Sequence, residues 1–280
     1  AGSTYVVFGK ASGWSATLAL SSLNGTNGFR IDGAASGDQS GASVSAVDIN
    51  KDGFSDLIIG ALYADPGGRS SAGSTYVVFG KAGIWTPTFA LSGLNGTNGF
   101  RLDGEATSDQ SGASVASAGD VNGDGFEDIV IGASRALPGE FGTAGSTYVV
   151  FGKATGWTST IALSSLDGSN GFQLDGADFN ESGISVDSAG DLNGDGFADL
   201  IIGAHRASQN NMTFAGSTYV VFGKASGWTP TLALSSLNGT NGFRIDGTEA
   251  QAFSGNEVAG AGAVNGEGFD DLNIGALEAD

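Results

Sequence analysis

The decapeptide Ala-Gly-Ser-Thr-Tyr-Val-Val-Phe-Gly-Lys occurs four times, beginning at Ala1, Ala72, Ala144 and Ala215, at spacings of 71, 72 and 71 residues. A tandem period of this length makes each unit one supersecondary element that buries its faces against its neighbours. Every unit carries the same parts in the same order. Thr75-Tyr76-Val77-Val78-Phe79 is β-branched and aromatic, and apolar on both faces, which predicts a strand buried on both sides. A longer connection follows, holding one tryptophan per unit (Trp14, Trp85, Trp157, Trp228). Phe100-Arg101-Leu102-Asp103 alternates like an outer strand, and Gly112-Ala113-Ser114-Val115-Ala116 is a small-residue strand suited to a crowded axis. No segment shows a convincing amphipathic helix. Four strands per unit around a centre predict an all-β fold, a β-propeller of four four-stranded blades. One domain is expected over 1–280, with repeats 1–71, 72–143, 144–214 and 215–280. The ring is expected to close through a shared blade, Thr4–Gly9 and Phe29–Asp32 joining Ser254–Val258 and Asp271–Gly275, which removes the sheet edges that invite aggregation.

Between the small-residue strand and an apolar strand, each unit places an acidic loop. In the second unit it reads Asp120-Val-Asn122-Gly-Asp124-Gly125-Phe126-Glu-Asp128, followed by Ile129-Val130-Ile131-Gly132-Ala133. Oxygen-bearing side chains at positions one, three and five can point into a tight loop. Glycine at six permits the turn, and the carbonyl of position seven then faces the centre. Asp128 at position nine can close the shell with both its oxygens. Such a donor set suits Ca²⁺, which takes six to eight oxygens. An EF-hand is excluded, because an apolar strand begins where position twelve would need glutamate. The pattern recurs with Asp48, Asn50, Asp52, Phe54 and Asp56, and with Asp191, Asn193, Asp195, Phe197 and Asp199. In the fourth unit Ala263 occupies position one and cannot coordinate, leaving Asn265, Glu267, Phe269 and Asp271. Three strong Ca²⁺ sites and a weak or empty fourth are therefore expected.

The formal net charge is −19, with 30 acidic and 11 basic residues among 280. An acidic surface argues against nucleic acid and anionic membrane as partners. No apolar run approaches the length that spans a bilayer, so no membrane insertion is expected. No secretion leader is visible. Ala1 falls inside a repeat unit, so a leader is expected to have been removed or to lie outside this sequence. The absence of cysteine excludes disulfides, thiolate metal sites and cysteine nucleophiles. Structural calcium replaces disulfides as a staple most readily outside the cell, where the ion is millimolar.

On these residues the chain resembles the FG-GAP repeats of the integrin α-subunit β-propeller. That family carries an Asp-x-Asp/Asn-x-Asp-Gly-x-x-Asp loop, matched at Asp48 to Asp56, Asp120 to Asp128 and Asp191 to Asp199. Its Gly-Ala pair is matched at Gly60-Ala61, Gly132-Ala133, Gly203-Ala204 and Gly275-Ala276. The phenylalanine of its Phe-Gly pair is replaced, giving Ser40-Gly41, Ser111-Gly112, Ser182-Gly183 and Ser254-Gly255. The family's following proline is replaced by Leu62, Ser134, His205 and Leu277. The family propeller usually has seven blades. Beside a closed four-bladed ring, the alternatives are a window on a longer array and two chains sharing one ring. The resemblance implies an extracellular or cell-surface adhesive, binding or structural module, with the partner at one face and calcium on the opposite rim. A protein or glycan ligand, a lectin activity, or a homo-oligomer, fibre or surface layer are the readings it leaves open. No nucleophile, base and orienting group stand together, so no enzymatic activity is expected.

Other recurring residues have plainer readings. His205, the single histidine, is expected to be a solvated loop residue. The tryptophans are expected to seal one blade to the next rather than stack on sugars. Asp32, Asp103, Asp175 and Asp246 read as turn residues, and Arg30, Arg101 and Arg244 as a solvated strand face. Asn24-Gly25-Thr26, Asn95-Gly96-Thr97 and Asn238-Gly239-Thr240 match glycosylation sequons, and match Asn-Gly turns equally well.

Overall fold

The computed structural model describes residues 1–138, 142–177 and 179–279. The first unit and the start of the second give β1 (Ser3–Val7), β2 (Gly28–Asp32), β3 (Val44–Val47), β4 (Asp56–Ala61), β5 (Ser74–Val78), β6 (Thr88–Ala90) and β7 (Gly99–Asp103). Next come β8 (Ser114–Gly119), β9 (Asp128–Ala133), β10 (Ser146–Val150), β11 (Thr160–Ala162) and β12 (Gly171–Asp175). The remainder are β13 (Val186–Gly190), β14 (Asp199–Ala204), β15 (Ser217–Val221), β16 (Thr231–Ala233), β17 (Gly242–Asp246), β18 (Ser254–Gly262) and β19 (Asp271–Ala276). Helix among the described residues is limited to three-residue 3₁₀ turns such as Leu91–Gly93.

The strands form blades as the repeat requires. One sheet runs β3-β4-β5-β7-β11, a second β8-β9-β10-β12-β16 and a third β13-β14-β15-β17. Registers repeat from sheet to sheet. Ile59 faces Tyr76, Ile131 faces Tyr148 and Ile202 faces Tyr219. The inner strands β3, β8, β13 and β18 lie side by side in that order. At each step a serine hydroxyl at or just before the start of one inner strand accepts the N–H of a valine in the next blade. Val115 donates to Ser43 Oγ at 3.0 Å, Val186 to Ser114 Oγ at 3.1 Å and Val258 to Ser185 Oγ at 3.1 Å. Glycine is required beside this seam, since a Cβ on Gly60, Gly132 or Gly203 would collide with the carbonyl of Gly112, Gly183 or Gly255.

Apolar side chains interleave across every blade boundary. Ile58, Val77, Phe100 and Leu102 of one blade pack with Val115, Ile129, Ile131 and Tyr148 of the next. Val130, Val149 and Phe172 meet Leu200, Ile202 and Tyr219 in the same way. The tryptophans add a seal. Trp85, Trp157 and Trp228 stack on Phe29, Phe100 and Phe172 at centroid distances of 4.2, 4.2 and 4.1 Å. Their lysines, Lys81, Lys153 and Lys224, place Nζ 4.8, 4.6 and 4.6 Å from the ring centroids. Phenylalanine and a lysine thus occupy these three rings, which is the packing role the sequence predicts, whereas Trp14 is 53% exposed and, among the described residues, seals no boundary.

Two expectations of the fold are corrected. Blades one and two have five strands. The fifth is the three-residue strand after each tryptophan, β11 or β16, which pairs in parallel with the outer strand of the preceding blade. Three residues of Thr-apolar-Ala are too short to announce a strand, and their partner lies in another repeat. The shared blade is not formed either: β1-β2-β6 and β18-β19 are separate sheets. The fourth unit has lost the features that join a blade to the next. Glu257 stands where Ser43, Ser114 and Ser185 accept the seam hydrogen bond. Asn273 stands where Ile58, Val130 and Ile201 fill the boundary, each of these fully buried. A closing face would have to bury that polar pair. Tyr5 and Val7 of β1 remain 40% and 41% exposed, whereas Tyr76 and Val78 are 3% and 0% exposed.

Candidate metal centre

The acidic loops connect β3 to β4, β8 to β9, β13 to β14 and β18 to β19, joining the inner strand of each blade to the second. Local hydrogen bonds shape them. In the second loop Asp124 N donates to Asp120 Oδ1 at 3.1 Å and to Asn122 Oδ1 at 2.9 Å. Gly125 N donates to Asp120 Oδ2 at 2.8 Å, and Phe126 N to Asp124 Oδ1 at 2.9 Å. The first and third loops repeat this pattern. Asx turns of this kind wind the chain tightly around the side-chain oxygens of positions one, three and five. Gly125, at φ +86°, supplies the left-handed residue that the winding needs.

Position nine has a role that the spacing alone does not reveal. Asp56, Asp128 and Asp199 are fully buried, and both oxygens of each carboxylate accept a main-chain N–H. Asp128 Oδ2 takes Val121 N at 2.9 Å, and its Oδ1 takes Gly152 N at 2.8 Å, just beyond β10. Asp56 does the same with Ile49 and Gly80, and Asp199 with Leu192 and Gly223. The carboxylate therefore latches the loop to the third strand of its own blade. Each oxygen thus carries one hydrogen bond and keeps its remaining lone pair as the donor it could offer to a metal shell. Burial pushes these acids up to about 7 at Asp56, about 8 at Asp128 and about 6 at Asp199, and the nearby loop carboxylates push the same way. For Asp128 those neighbours are Asp124 and Asp120.

Among the described residues, no three histidine, cysteine, aspartate or glutamate side chains are grouped as a metal cage. The donor chemistry of the loops nevertheless fits a hard cation. Two acidic side chains, one amide oxygen and the position-seven carbonyl lie on one short loop, and the carboxylate beside them is destabilised first by burial and further by their charge. In that arrangement Asp120, Asn122, Asp124 and the Phe126 carbonyl would hold the ion, with Asp128 beside them. The fourth loop keeps fragments of the pattern. Val264 N donates to Asp271 Oδ2 at 2.7 Å, and Glu267 N to Asn265 Oδ1 at 3.0 Å.

Several residues outside the loops differ from expectation. The side chain of His205 is 15% exposed, with Nε2 3.8 Å from Glu181 Oε2, so it is not solvated. Burial lowers its pKa, more than Glu181 raises it. The hidden position arises because Phe253, from the next unit, covers the imidazole at a centroid distance of 6.0 Å. The outer-strand aspartates pair with the arginines two residues before them. Arg30 Nε lies 2.7 Å from Asp32, Arg101 Nε 2.5 Å from Asp103 and Arg244 Nε 2.6 Å from Asp246. Residues two apart on a strand share a face, which is the signal that a turn reading overlooks. The Asn-Gly segments form Asx turns, with Thr26 and Thr97 donating both N–H and hydroxyl to Asn24 and Asn95.

Blades in sequence order, each with an acidic loop between its first two strands, define a β-repeat protein with one acidic loop per repeat. The FG-GAP repeat model matches residues 40–78, 111–150 and 182–221, so the chain carries three FG-GAP repeats. It is similar to integrin alpha-5 of Xenopus laevis, 35% identical over 190 residues, 65% of this chain and 16% of that protein. It is also similar to integrin alpha-7 of Homo sapiens, 30% identical over 166 residues, 59% of this chain and 12% of the relative. Integrin alpha-2 of Mus musculus is 30% identical over 192 residues, 67% of this chain and 15% of the relative. The chain thus spans less than a fifth of the length of these relatives. Among the described residues no helix is long and apolar enough to cross a membrane.

Proposed function

We propose that the chain is an extracellular, calcium-stabilised β-propeller module whose exposed face carries an adhesive or binding function without enzymatic activity. The observation that carries the calcium reading is the threefold recurrence of one loop geometry, Asp48 to Asp56, Asp120 to Asp128 and Asp191 to Asp199, each gathering oxygens beside a buried aspartate. Bound Ca²⁺ supplies the positive charge those oxygens lack. The chain's own part is to hold the loop wound by its Asx turns and tied to the third strand by the position-nine aspartate. The adhesive reading rests on the similarity to integrin α subunits, and a protein ligand is its natural partner. A lectin is disfavoured, because phenylalanine and lysine already occupy the faces of Trp85, Trp157 and Trp228. Calorimetric titration with Ca²⁺ tests the reading: three sites in the 0.1–1 mM range are expected, and a chain that takes up no calcium overturns it.

A further inference from the structure

Position eight of each loop is not a ligand position, and it differs between repeats: Ser55, Glu127, Ala198 and Asp270. Two of these side chains reach across a blade boundary to the first ligand of the preceding loop. Glu127 Oε2 accepts the Asp48 N–H at 3.1 Å, and Asp270 Oδ2 accepts the Asp191 N–H at 2.8 Å. The second loop has no such support. Its neighbour Ala198 has no side-chain acceptor, and its own N–H donates to the Asp120 carbonyl at 3.0 Å.

We propose that Glu127 and Asp270 are positioning residues for the metal of the preceding blade, in the first and third loops. The inference rests on the calcium reading above. Position one supplies a ligand, and its carboxylate also receives the N–H groups of positions five and six, at Asp52 and Gly53 or Asp195 and Gly196. Fixing its own N–H from outside the loop therefore fixes the residue on which the winding starts. Partners that orient a ligand in this way typically change metal affinity by 10–100-fold.

The placement has two consequences. Glu127 lies between Phe126 and Asp128 of the second loop, so an ion that orders those residues also orders the group serving the first loop. Occupancy of the second site then favours the first, and by reciprocity the first favours the second. The fourth loop, with Ala263 in place of a first ligand, keeps a task that needs no metal of its own. Through Asp270 it completes the third loop, and Asp270 N also donates to the Asp191 carbonyl at 3.4 Å.

The test is calorimetric titration of the whole chain with CaCl₂, beside Glu127→Ala, Glu127→Gln and Asp270→Ala. Alanine is the residue already present at the equivalent position 198. Glu127→Ala and Asp270→Ala are each expected to weaken one site about ten-fold and to leave the melting temperature in EDTA unchanged. Glu127→Gln keeps an acceptor oxygen and is expected to recover most of the affinity. Unchanged affinities in both alanine variants overturn the proposal and leave the calcium reading standing. A lowered melting temperature in EDTA with unchanged affinities assigns these residues a purely structural role and overturns it too. A glutamine variant as weak as the alanine variant overturns positioning in favour of charge alone. Absence of calcium heat in the unsubstituted chain overturns the calcium reading itself, and the proposal with it.

Discussion

The second and fourth acidic loops share a frame and differ in their surroundings. In both, the residue at position five donates its N–H to the asparagine at position three, at 2.9 and 3.0 Å. In both, the aspartate at position nine accepts the N–H of position two. Yet Val121 is fully buried and its counterpart Val264 is 74% exposed. The second loop has a third strand to latch onto and a following blade to cover it. The fourth has neither among the described residues. Local winding is thus a property of the nine residues. Burial, and with it the raised pKa of Asp128, is a property of the stack.

The largest test of that comparison removes the ion we propose. With Kd about 0.1 mM and free Ca²⁺ about 2 mM, each occupied loop contributes roughly 1.8 kcal/mol. Three loops together contribute about 5 kcal/mol, so EDTA is expected to lower the melting temperature by about 10 °C or more in a chain of this size. Magnesium is expected to rescue poorly, because it demands a smaller octahedral shell. Asp124→Ala is expected to reproduce about a third of the chelator effect, and Glu267→Ala almost none. A melting curve indifferent to chelator in calcium-loaded protein would break the comparison at its root.

A second contrast concerns the seals between blades. Trp157→Ala is expected to cost about 3–5 kcal/mol in thermal or denaturant unfolding, as large aromatic deletions from packed sites do. Trp14, 53% exposed, is expected to cost under about 1 kcal/mol. Equal losses would mean that the stacking on Phe100 is not what stabilises the boundary. The latch gives a somewhat smaller difference. Asp128→Ala strands the N–H groups of Val121 and Gly152 and is expected to cost about 2–3 kcal/mol in EDTA. Asp271→Ala, in the open loop, is expected to cost under about 1 kcal/mol by the same measurement.

The smallest expected effect separates His205 from its counterparts Leu62, Ser134 and Leu277. Its folded pKa lies below the unfolded value, so the unfolded chain binds the proton more readily. Its contribution to stability is therefore complete above about pH 6.5 and declines as the pH falls below that value. His205→Leu is expected to flatten this part of the stability profile, measured by chemical unfolding between pH 5 and 7.5. A steeper slope in the variant would show that Glu181, rather than burial, dominates at this position.

Much of the molecule is legible without coordinates. Strand order, the blades, the acidic loops and the sealing tryptophans all follow from a period of about 71 residues and from alternation of apolar side chains. What escaped the reading lies between repeats or between strands. The fifth strand of a blade comes from the next unit, and His205 is covered by Phe253 from another unit. None of these has a local signal, since each depends on which neighbour folding brings alongside.

By itself the sequence determined what short-range chemistry can decide. Asp, Asn and Gly at fixed offsets wind a loop through Asx turns wherever that loop sits, and β-branched runs become strands because their side chains suit a pleated surface. Tertiary structure alone decided that position nine is a latch and that position eight of one loop serves the first ligand of another. It also decided that the outermost blades remain separate sheets. Those outcomes depend on groups about 24 or 79 residues apart meeting at about 3 Å, and at the last boundary Glu257 and Asn273 replace the serine and the isoleucine or valine that join the blades elsewhere.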